Sequence, residues 1–560
     1  MTGTDAAVAP TMEQVPYDCA RRFGDLPAQR IQRNGRWEDL SHTELATVVE
    51  ELARGLIALG VEPGGRICIL SETRAEWTQA QFATLAAGAV VVPIYPTNSV
   101  QECEWVLGDS GACVVICEND EQVAKITQLR DSLPGLRHIL TIEPDGIHDT
   151  LDDLRSWGRD QGPAERQRRG ETLSSEDPCL IIYTSGTTGN PKGCVLTHGN
   201  MMACVEQTAT LGVSHPDDVC YLFLPLAHVF AQVVNLSILA LGGVVSYVSA
   251  GPASILSDLS EIRPTVFPAV PRIFEKIHTL LAGTPANDEL HAQVRALFGD
   301  RVRFAISGAA PIAPEILEFF HAAGVPVYEG YGLSESTAMG TLNLPEAMRI
   351  GTIGRAIPCC ETRCDPGGEL LLRGSHVFAG YWNDPEATAA AFTEDGWFRT
   401  GDLATIDDEG YVSITGRKKE IIITAGGKNL SPAQIENDLR QCPFISHAVL
   451  HGDRRPYPVA LITLDEEYVQ SWATAQGLQT DRAALARLAP VREAVQAAVD
   501  EVNARHAKVA QIKRFTILDR DFSQEAGELT PTLKMRRQAI NAMYSDVLDQ
   551  LYEQPAELPR

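Results

Sequence analysis

Thr184, Ser185, Thr187 and Thr188 set four hydroxyl groups within five residues, Gly186, Gly189 and Gly193 free the backbone among them, and Lys192 adds a cation, all in the run TSGTTGNPKG at 184–193. Hydroxyl and backbone N–H donors on a glycine-rich turn, with an ammonium group beside them, suit a polyphosphate. The spacing is not that of the P-loop, which needs Gly directly before Lys and Ser or Thr directly after it. Here Pro191 precedes Lys192 and Gly193 follows. Phosphate chemistry on a different cradle is the expectation.

Such a loop has to be held by regular structure. The apolar run at 179–183 reads as a strand leading into it, and THGN at 197–200 as a helix start beyond it. Further β-branched runs at 66–70, 89–93, 113–117, 221–224, 302–306 and 325–328 alternate with helix-length amphipathic stretches. That alternation predicts stacked βαβ units with parallel sheets, whose ligand loops gather at the carboxyl ends of the strands. Past Gly367 the pieces shorten to hairpin length, at 369–372, 405–408 and 411–415. The charged run after Gly416, Arg417-Lys-Lys-Glu420, marks a hinge. A strand at 421–424 and an Ala-rich helical stretch at 480–508 follow. The fold class expected is α/β: a large N-terminal domain over 1–415 containing a small β-rich subdomain at about 340–415, a hinge at 416–419, and a smaller, mobile α+β C-terminal domain over 420–560.

Composition narrows the partners. Asp and Glu outnumber Lys and Arg by 73 to 47, a formal charge of -26, so nucleic acid, whose binding needs a basic face, is excluded. The same excess opposes electrostatic docking on anionic lipid. The opening residues lack the basic start and apolar core of a secretory signal, and no apolar run reaches the ~18 residues that span a bilayer. A cytoplasmic protein with at most peripheral membrane contact is expected. The thirteen cysteines are scattered and often sit inside apolar runs, as buried reduced thiols do. Cys359, Cys360 and Cys364 lack the paired spacing of a zinc site.

The 184–193 segment resembles the signature loop of the adenylate-forming superfamily of acyl-CoA synthetases, luciferases and adenylation domains. Companions of that loop occur in order over about 40–540. The resemblance implies ATP, Mg2+ and coenzyme A as cofactors, with the loop from Thr184 to Gly189 and Lys192 on the nucleotide. In Tyr331-Gly332-Leu-Ser334-Glu335 it implies a magnesium ligand at Glu335, a phosphate contact at Ser334 and an adenine-stacking ring at Tyr331. Gly308, Ala309 and Ala310, with Glu329 and Gly330, match segments that wrap the base. Asp402 corresponds to the acceptor of the ribose hydroxyls and Arg417 to the arginine that joins it. His228 resembles a histidine beside the acid site, and TVFPAVPRIFEK at 265–276 a segment near the acyl pocket. Lys534, in LTPTLK at 529–534, matches the lysine that bridges carboxylate and α-phosphate. Lys419 stands at the hinge position, and Gly426 and Gly427 at a turn lining the pantetheine tunnel.

The implied activity is ATP-dependent conversion of a fatty acid, long-chain by resemblance, to acyl-AMP and then to its coenzyme A thioester. The stretch 278–300 is shorter than the helical insertion usual in the long-chain branch, which leaves a medium-chain or specialised acid open. Lys513, Arg514, Arg454 and Arg455 are the cations available for coenzyme A phosphates. An acyl carrier protein is the alternative acceptor, and a non-catalytic nucleotide or acyl sensor the alternative class. A homodimer stays open.

Overall fold

The computed structural model describes residues 9–184, 190–251, 253–281, 287–425, 429–478, 482–508, 510–530 and 534–553. The chain divides into two compact units, one comprising 1–363, 371–400 and 407–412, the other 364–370, 401–406 and 413–560.

The first unit is built on two large sheets. In one, the strands run in the order Arg355–Ala356, Thr341–Leu342, Val327–Tyr331, Phe304–Ser307, Val266–Ala269, Val219–Leu222, Val244–Tyr247, Pro27–Arg33 and Arg36–Ser41. From Val327–Tyr331 to Pro27–Arg33 all neighbours are parallel, and the antiparallel pieces sit at the two edges. The other sheet runs Gly380–Tyr381, Lys192–Thr197, Pro178–Thr184, Val90–Ile94, Arg66–Leu70, Val114–Cys117 and His138–Thr141. Its five strands from Pro178–Thr184 onward are parallel. The parallel strands are buried along nearly their whole length, as at Val114–Cys117, which is why they read as continuous β-branched runs.

One feature differs from the sequence reading. The Gly/Thr loop does not pass straight from strand to helix: Lys192–Thr197 is itself a strand, paired antiparallel with Pro178–Thr184 so that Thr184 faces Lys192 and Tyr183 faces Gly193. Five of its six residues are buried. The expected helix start then follows, with Thr197 capping His198–Thr210 through a reciprocal bond with Asn200. At 265–276, the strand Val266–Ala269 is followed by a helix, Pro271–Leu281, opened by proline at a position where its missing N–H costs nothing.

In the second unit, Ile445–His451 and Val459–Leu464 pair antiparallel, and Arg514–Ile517 adds in parallel. Helices Pro432–Leu439 and Ala489–Arg505 pack on this sheet through Ile435, Leu439, Val491, Val495 and Val499. The helix Ser545–Glu553 belongs to a second apolar cluster with Val459 and Leu461. No described helix is long and apolar enough to cross a membrane.

Candidate active site

Four adjacent parallel strands of the nine-stranded sheet deliver sequence-selected residues at their carboxyl ends. Val219–Leu222 leads to His228, Val266–Ala269 to Pro271, Phe304–Ser307 to Gly308, Ala309 and Ala310, and Val327–Tyr331 to Gly332, Ser334 and Glu335. Strand ends of this kind are where open α/β sheets hold ligands.

Glu329 and Gly330 belong to the last strand, and Ser307 pairs with Glu329. Burial pushes the Glu329 carboxyl up to about 7, against the backbone N–H of Ile312, which favours its charged form. Ala309 lies in the left-handed region, φ 69°, uncommon for a residue with a Cβ. That conformation turns the chain outward, leaving Gly308 buried and Ala310 exposed. Tyr331, half-buried, pairs with Thr341 across the sheet edge. Ser334 and Glu335 sit on the short 3-10 turn Ser334–Ser336.

His228 caps the helix Val229–Ala240: the backbone N–H of Phe230 donates to its Nδ1 at 3.2 Å. A neutral ring held this way carries its proton on Nε2. The Phe230 ring in turn lies beside Gly308, where a Cβ would come within 3.5 Å of it.

The seven-stranded sheet brings Lys192 to the neighbourhood of Glu335. Thr184 and Lys192 are cross-strand partners at the mouth of the loop, while Ser185, Gly186, Thr187, Thr188 and Gly189 lie outside the described residues. Lys192 is half-exposed, with its Nζ 3.5 Å from Asp384 and 5.2 Å from the centre of the Tyr381 ring. The Tyr381 hydroxyl donates to Glu335 Oε1 at 2.8 Å. Burial, and next the Glu335 charge, push this phenol well above the ordinary tyrosine range and keep it a donor. Magnesium is held by one or two carboxylates together with substrate phosphates. Glu335, a half-buried carboxylate with one oxygen fixed by a phenol O–H, fits that donor set. Among the described residues no group of three or more His, Cys, Asp or Glu could form an all-protein cage.

Within the second unit, Asp402 is 3% exposed and bonds Arg417 Nε through Oδ1 at 2.9 Å. Beside them, buried Glu369 takes the backbone N–H of Gly401 at 3.0 Å and Lys418 Nζ at 2.9 Å, fixing the residues that precede Asp402 and follow Arg417. Lys419 is exposed. Gly426 and Gly427 lie outside the described residues. Lys534 is also exposed, its backbone tied to Thr530 by two hydrogen bonds, Thr530 N–H to Lys534 O at 2.8 Å and Lys534 N–H to Thr530 Oγ1 at 3.0 Å. Of the cations considered for coenzyme A, Arg455 pairs with Asp549 and Arg514 donates to Leu551 O at 2.7 Å, so both are engaged on the helix Ser545–Glu553.

Residues 17–382 match the AMP-binding enzyme family, and residues 419–556 match the AMP-binding enzyme C-terminal domain. The chain belongs to the AMP-binding enzyme family. It is 38% identical to the long-chain-fatty-acid–CoA ligase FadD15 of Mycobacterium tuberculosis over 93% of each chain. It is 32% identical to the long-chain-fatty-acid–CoA ligase ACSBG2 of Xenopus laevis over 98% of this chain and 85% of that one. Among solved structures it resembles the adenylation domain of a carboxylate reductase from Mycobacterium chelonae, with TM-score 0.81 at 22% identity over 99% of this chain and 92% of that one. ATP-bound MatB from Rhodopseudomonas palustris is similar at TM-score 0.74 and 26% identity, over 96% of this chain and 99% of that one.

Several residues of this AMP-binding enzyme's site escaped the sequence reading. Tyr381 and Asp384 meet Lys192 only across the sheet edge. Trp105 and Asp109, one turn apart on the helix Val100–Ser110, hold the hairpin: the Trp105 indole donates to Pro191 O at 2.9 Å, and Asp109 accepts from the Tyr183 hydroxyl at 2.5 Å. Glu528 anchors the lysine segment of the second unit, accepting from Nη1 and Nη2 of Arg520 at 2.6 Å each and from the Tyr544 hydroxyl at 2.7 Å. The i, i+4 spacing of Trp105 and Asp109 on a helix was the one available signal; Tyr381 and Asp384 are single polar residues whose partners lie far along the chain, and Glu528 meets Arg520 and Tyr544 at spacings that match no regular element.

Proposed function

We propose that this chain activates a long-chain fatty acid with ATP as its acyl-adenylate, releasing pyrophosphate, and passes the acyl group to coenzyme A. The observation that carries the reading is the convergence of two independent motifs on one tyrosine, with Lys192 from the Gly/Thr hairpin on the Tyr381 ring and Glu335 from the strand-end turn on its hydroxyl. A cation and a metal-binding carboxylate side by side suit a triphosphate, whose charge must be absorbed as pyrophosphate leaves. Family membership and the names of the relatives support the fatty acid and coenzyme A.

In this reading the residues from Thr184 to Gly189 and Lys192 cradle the phosphates, and Ser334 adds a hydroxyl. Magnesium, when bound at Glu335, supplies charge neutralisation between the phosphates. Gly308, Ala309, Ala310, Glu329, Gly330 and Gly332 shape the base site, with Tyr331 stacking on it. Asp402 accepts from the ribose hydroxyls, and Arg417 keeps that carboxylate aimed. His228 presents its Nε2 proton beside the carboxylate of the acid. Lys534 bridges that carboxylate and the α-phosphate during attack, neutralising charge that exists only as the new bond forms. Because the lysine occupies the face that a thiol must later use, we assign Lys419 as the hinge and Gly426 and Gly427 to the pantetheine path after the C-terminal domain, 420–560, has turned. All thirteen cysteines are free thiols, as in a reducing compartment, and we place the reaction in the cytoplasm.

Lys534→Ala tests the central assignment. Acid-dependent ATP–pyrophosphate exchange should fall by orders of magnitude, while thioester formation from supplied acyl-adenylate persists; equal loss of both half-reactions would refute the role. Hydroxamate trapping across acids from acetate to stearate fixes chain length. Supplied acyl-adenylate with free coenzyme A, against an acyl carrier protein, fixes the acceptor.

A further inference from the structure

We propose that Tyr381 is a positioning residue that sets the metal-binding carboxylate and the phosphate-binding cation in register with each other. The inference rests on the reading of Glu335 and Lys192 above and adds a group that neither motif contains.

Tyr381 is unusually well placed for this. It lies on the two-residue edge strand Gly380–Tyr381, paired antiparallel with Lys192–Thr197 so that Tyr381 faces Cys194, two positions from Lys192 on the same strand. Its backbone N–H is bound by Thr388 Oγ1 at 2.8 Å, and its ring packs edge-on against Phe378 at 4.9 Å. Gly380, at φ 146°, has Thr388 against it so closely that a Cβ would lie 2.7 Å from Thr388 Cγ2. The preceding segment is strapped from both sides. Asn200 Nδ2 donates to Ser375 O at 2.8 Å and to Val377 O at 2.9 Å, and the backbone N–H of Phe378 donates to Glu335 O at 2.9 Å. Glu335 is therefore tied to this one segment twice, by its backbone carbonyl to Phe378 and by its carboxylate to Tyr381.

The two ends of the tyrosine act on different partners. The hydroxyl donates to Glu335 Oε1 and fixes the plane of that carboxylate, a charge-assisted bond of the stronger kind. The π-face holds the Lys192 ammonium. Asp384, half-exposed, lies 3.5 Å from the same ammonium and adds a contact of similar scale. A tyrosine serving only to fill space would have no need of its hydroxyl, since phenylalanine supplies the same ring. The hydroxyl and the ring can accordingly be separated by substitution.

The test uses the full-length protein and Mn2+ as the probe, with free Mn2+ followed by electron paramagnetic resonance in the presence of α,β-methylene-ATP. Nucleotide affinity is measured separately in EDTA by calorimetry. Tyr381→Phe should weaken Mn2+ binding by about tenfold or more, the scale of one hydrogen bond to a charged group, and leave the metal-free nucleotide affinity within twofold. Tyr381→Leu should weaken both. In pyrophosphate exchange, Tyr381→Phe should raise the half-saturating Mg2+ and leave the rate at saturating Mg2+ within about threefold. Glu335→Gln is the reference. If Glu335→Gln loses Mn2+ and Tyr381→Phe binds it as the parent does, the positioning role is overturned and the reading of Glu335 stands. If Glu335→Gln itself binds Mn2+ normally, the reading of Glu335 falls and the proposal with it. Should Tyr381→Leu fail to fold, the near-isosteric Phe variant still decides the hydroxyl's part.

Discussion

Replacing Gly332 by alanine puts the geometry of the strand-end turn to a quantitative test. A Cβ at Gly332 would lie 2.1 Å from the carbonyl carbon of Ala338, 2.2 Å from its oxygen and 2.5 Å from Met339 N. Carbon atoms in contact prefer about 3.5–4.0 Å, so the facing segments must part by more than ~1 Å. Both are backbone, and no side chain can swing aside. The part that must yield is the turn carrying Ser334 and Glu335. It is closed by the N–H of Ala338 to Leu333 O at 2.8 Å, Met339 to Ser336 O at 3.0 Å and Thr337 to Ser334 O at 3.1 Å. Overpacking of this kind costs about 1–3 kcal/mol, and each kcal/mol lowers Tm by roughly 2–4 °C in a domain of about 200 residues and by less in a larger one. The consequence for catalysis is larger, because a 1 Å misplacement of a group near the reacting centre is worth about 10²-fold. Acid-dependent ATP–pyrophosphate exchange should therefore fall about a hundredfold in a protein that still unfolds cooperatively a few degrees below the parent. Exchange within about twofold of the parent would refute the reasoning, since the turn would then tolerate displacement without moving its carboxylate.

Two further outcomes follow from buried charges. The Glu329 carboxyl, raised by burial to about 7, stays protonated in the folded chain over a range where the unfolded chain ionises it, so stability falls as pH rises from about 4.5 to about 7. The loss amounts to up to about 3 kcal/mol; Glu329→Gln should remove it, so that thermal unfolding curves of parent and variant diverge between pH 5 and 8, whereas parallel curves would refute the assignment. Arg537 meets Glu436 through two bonds of 2.6 Å with the carboxylate 3% exposed, so Arg537→Leu should cost about 3–5 kcal/mol and the double variant with Glu436→Leu distinctly less; urea unfolding that ranks the double variant as the less stable would overturn this.

The sequence revealed the chemistry of this protein more readily than its connections. The loop at 184–193, Glu335 and Asp402 stand in motifs whose residue types suit the roles proposed for them on phosphate, metal and diol, and the parallel strands announce themselves because burial on both faces leaves only β-branched runs. Lys192–Thr197 is hard to read because its Lys-Gly start and its end at a helix cap leave only three central residues, Cys194, Val195 and Leu196, of strand character. The hairpin Pro27–Arg33 and Arg36–Ser41 was passed over despite Asn34-Gly35, both at positive φ, which is the strongest short-range hairpin signal a sequence can carry. Tyr381 and Glu528 could not have been found from types and spacing. Each is one polar residue whose meaning comes from a partner the fold brings to it, 46 positions away for Tyr381 and Glu335.

That contrast has a physical basis in how the site is assembled. A strand-end loop can evolve phosphate donors locally, because successive backbone N–H groups can themselves form an anion-binding concavity, and so its signature stays compact. The relation between one loop and another belongs to neither. In this chain the two sheets of the first unit each bring one group of the proposed phosphate site, and the two groups are linked where the edge strand Gly380–Tyr381 pairs with Lys192–Thr197 and reaches the turn of Glu335. A one-residue slip in that pairing would turn the phenol to the opposite face of the sheet. The Lys192 side of the hairpin would remain intact, and the carboxylate would lose its partner. Register at a two-residue strand is thereby a catalytic quantity, and the glycine at 380, crowded by Thr388, together with the Asn200 clamp on residues 375 and 377, is what holds it.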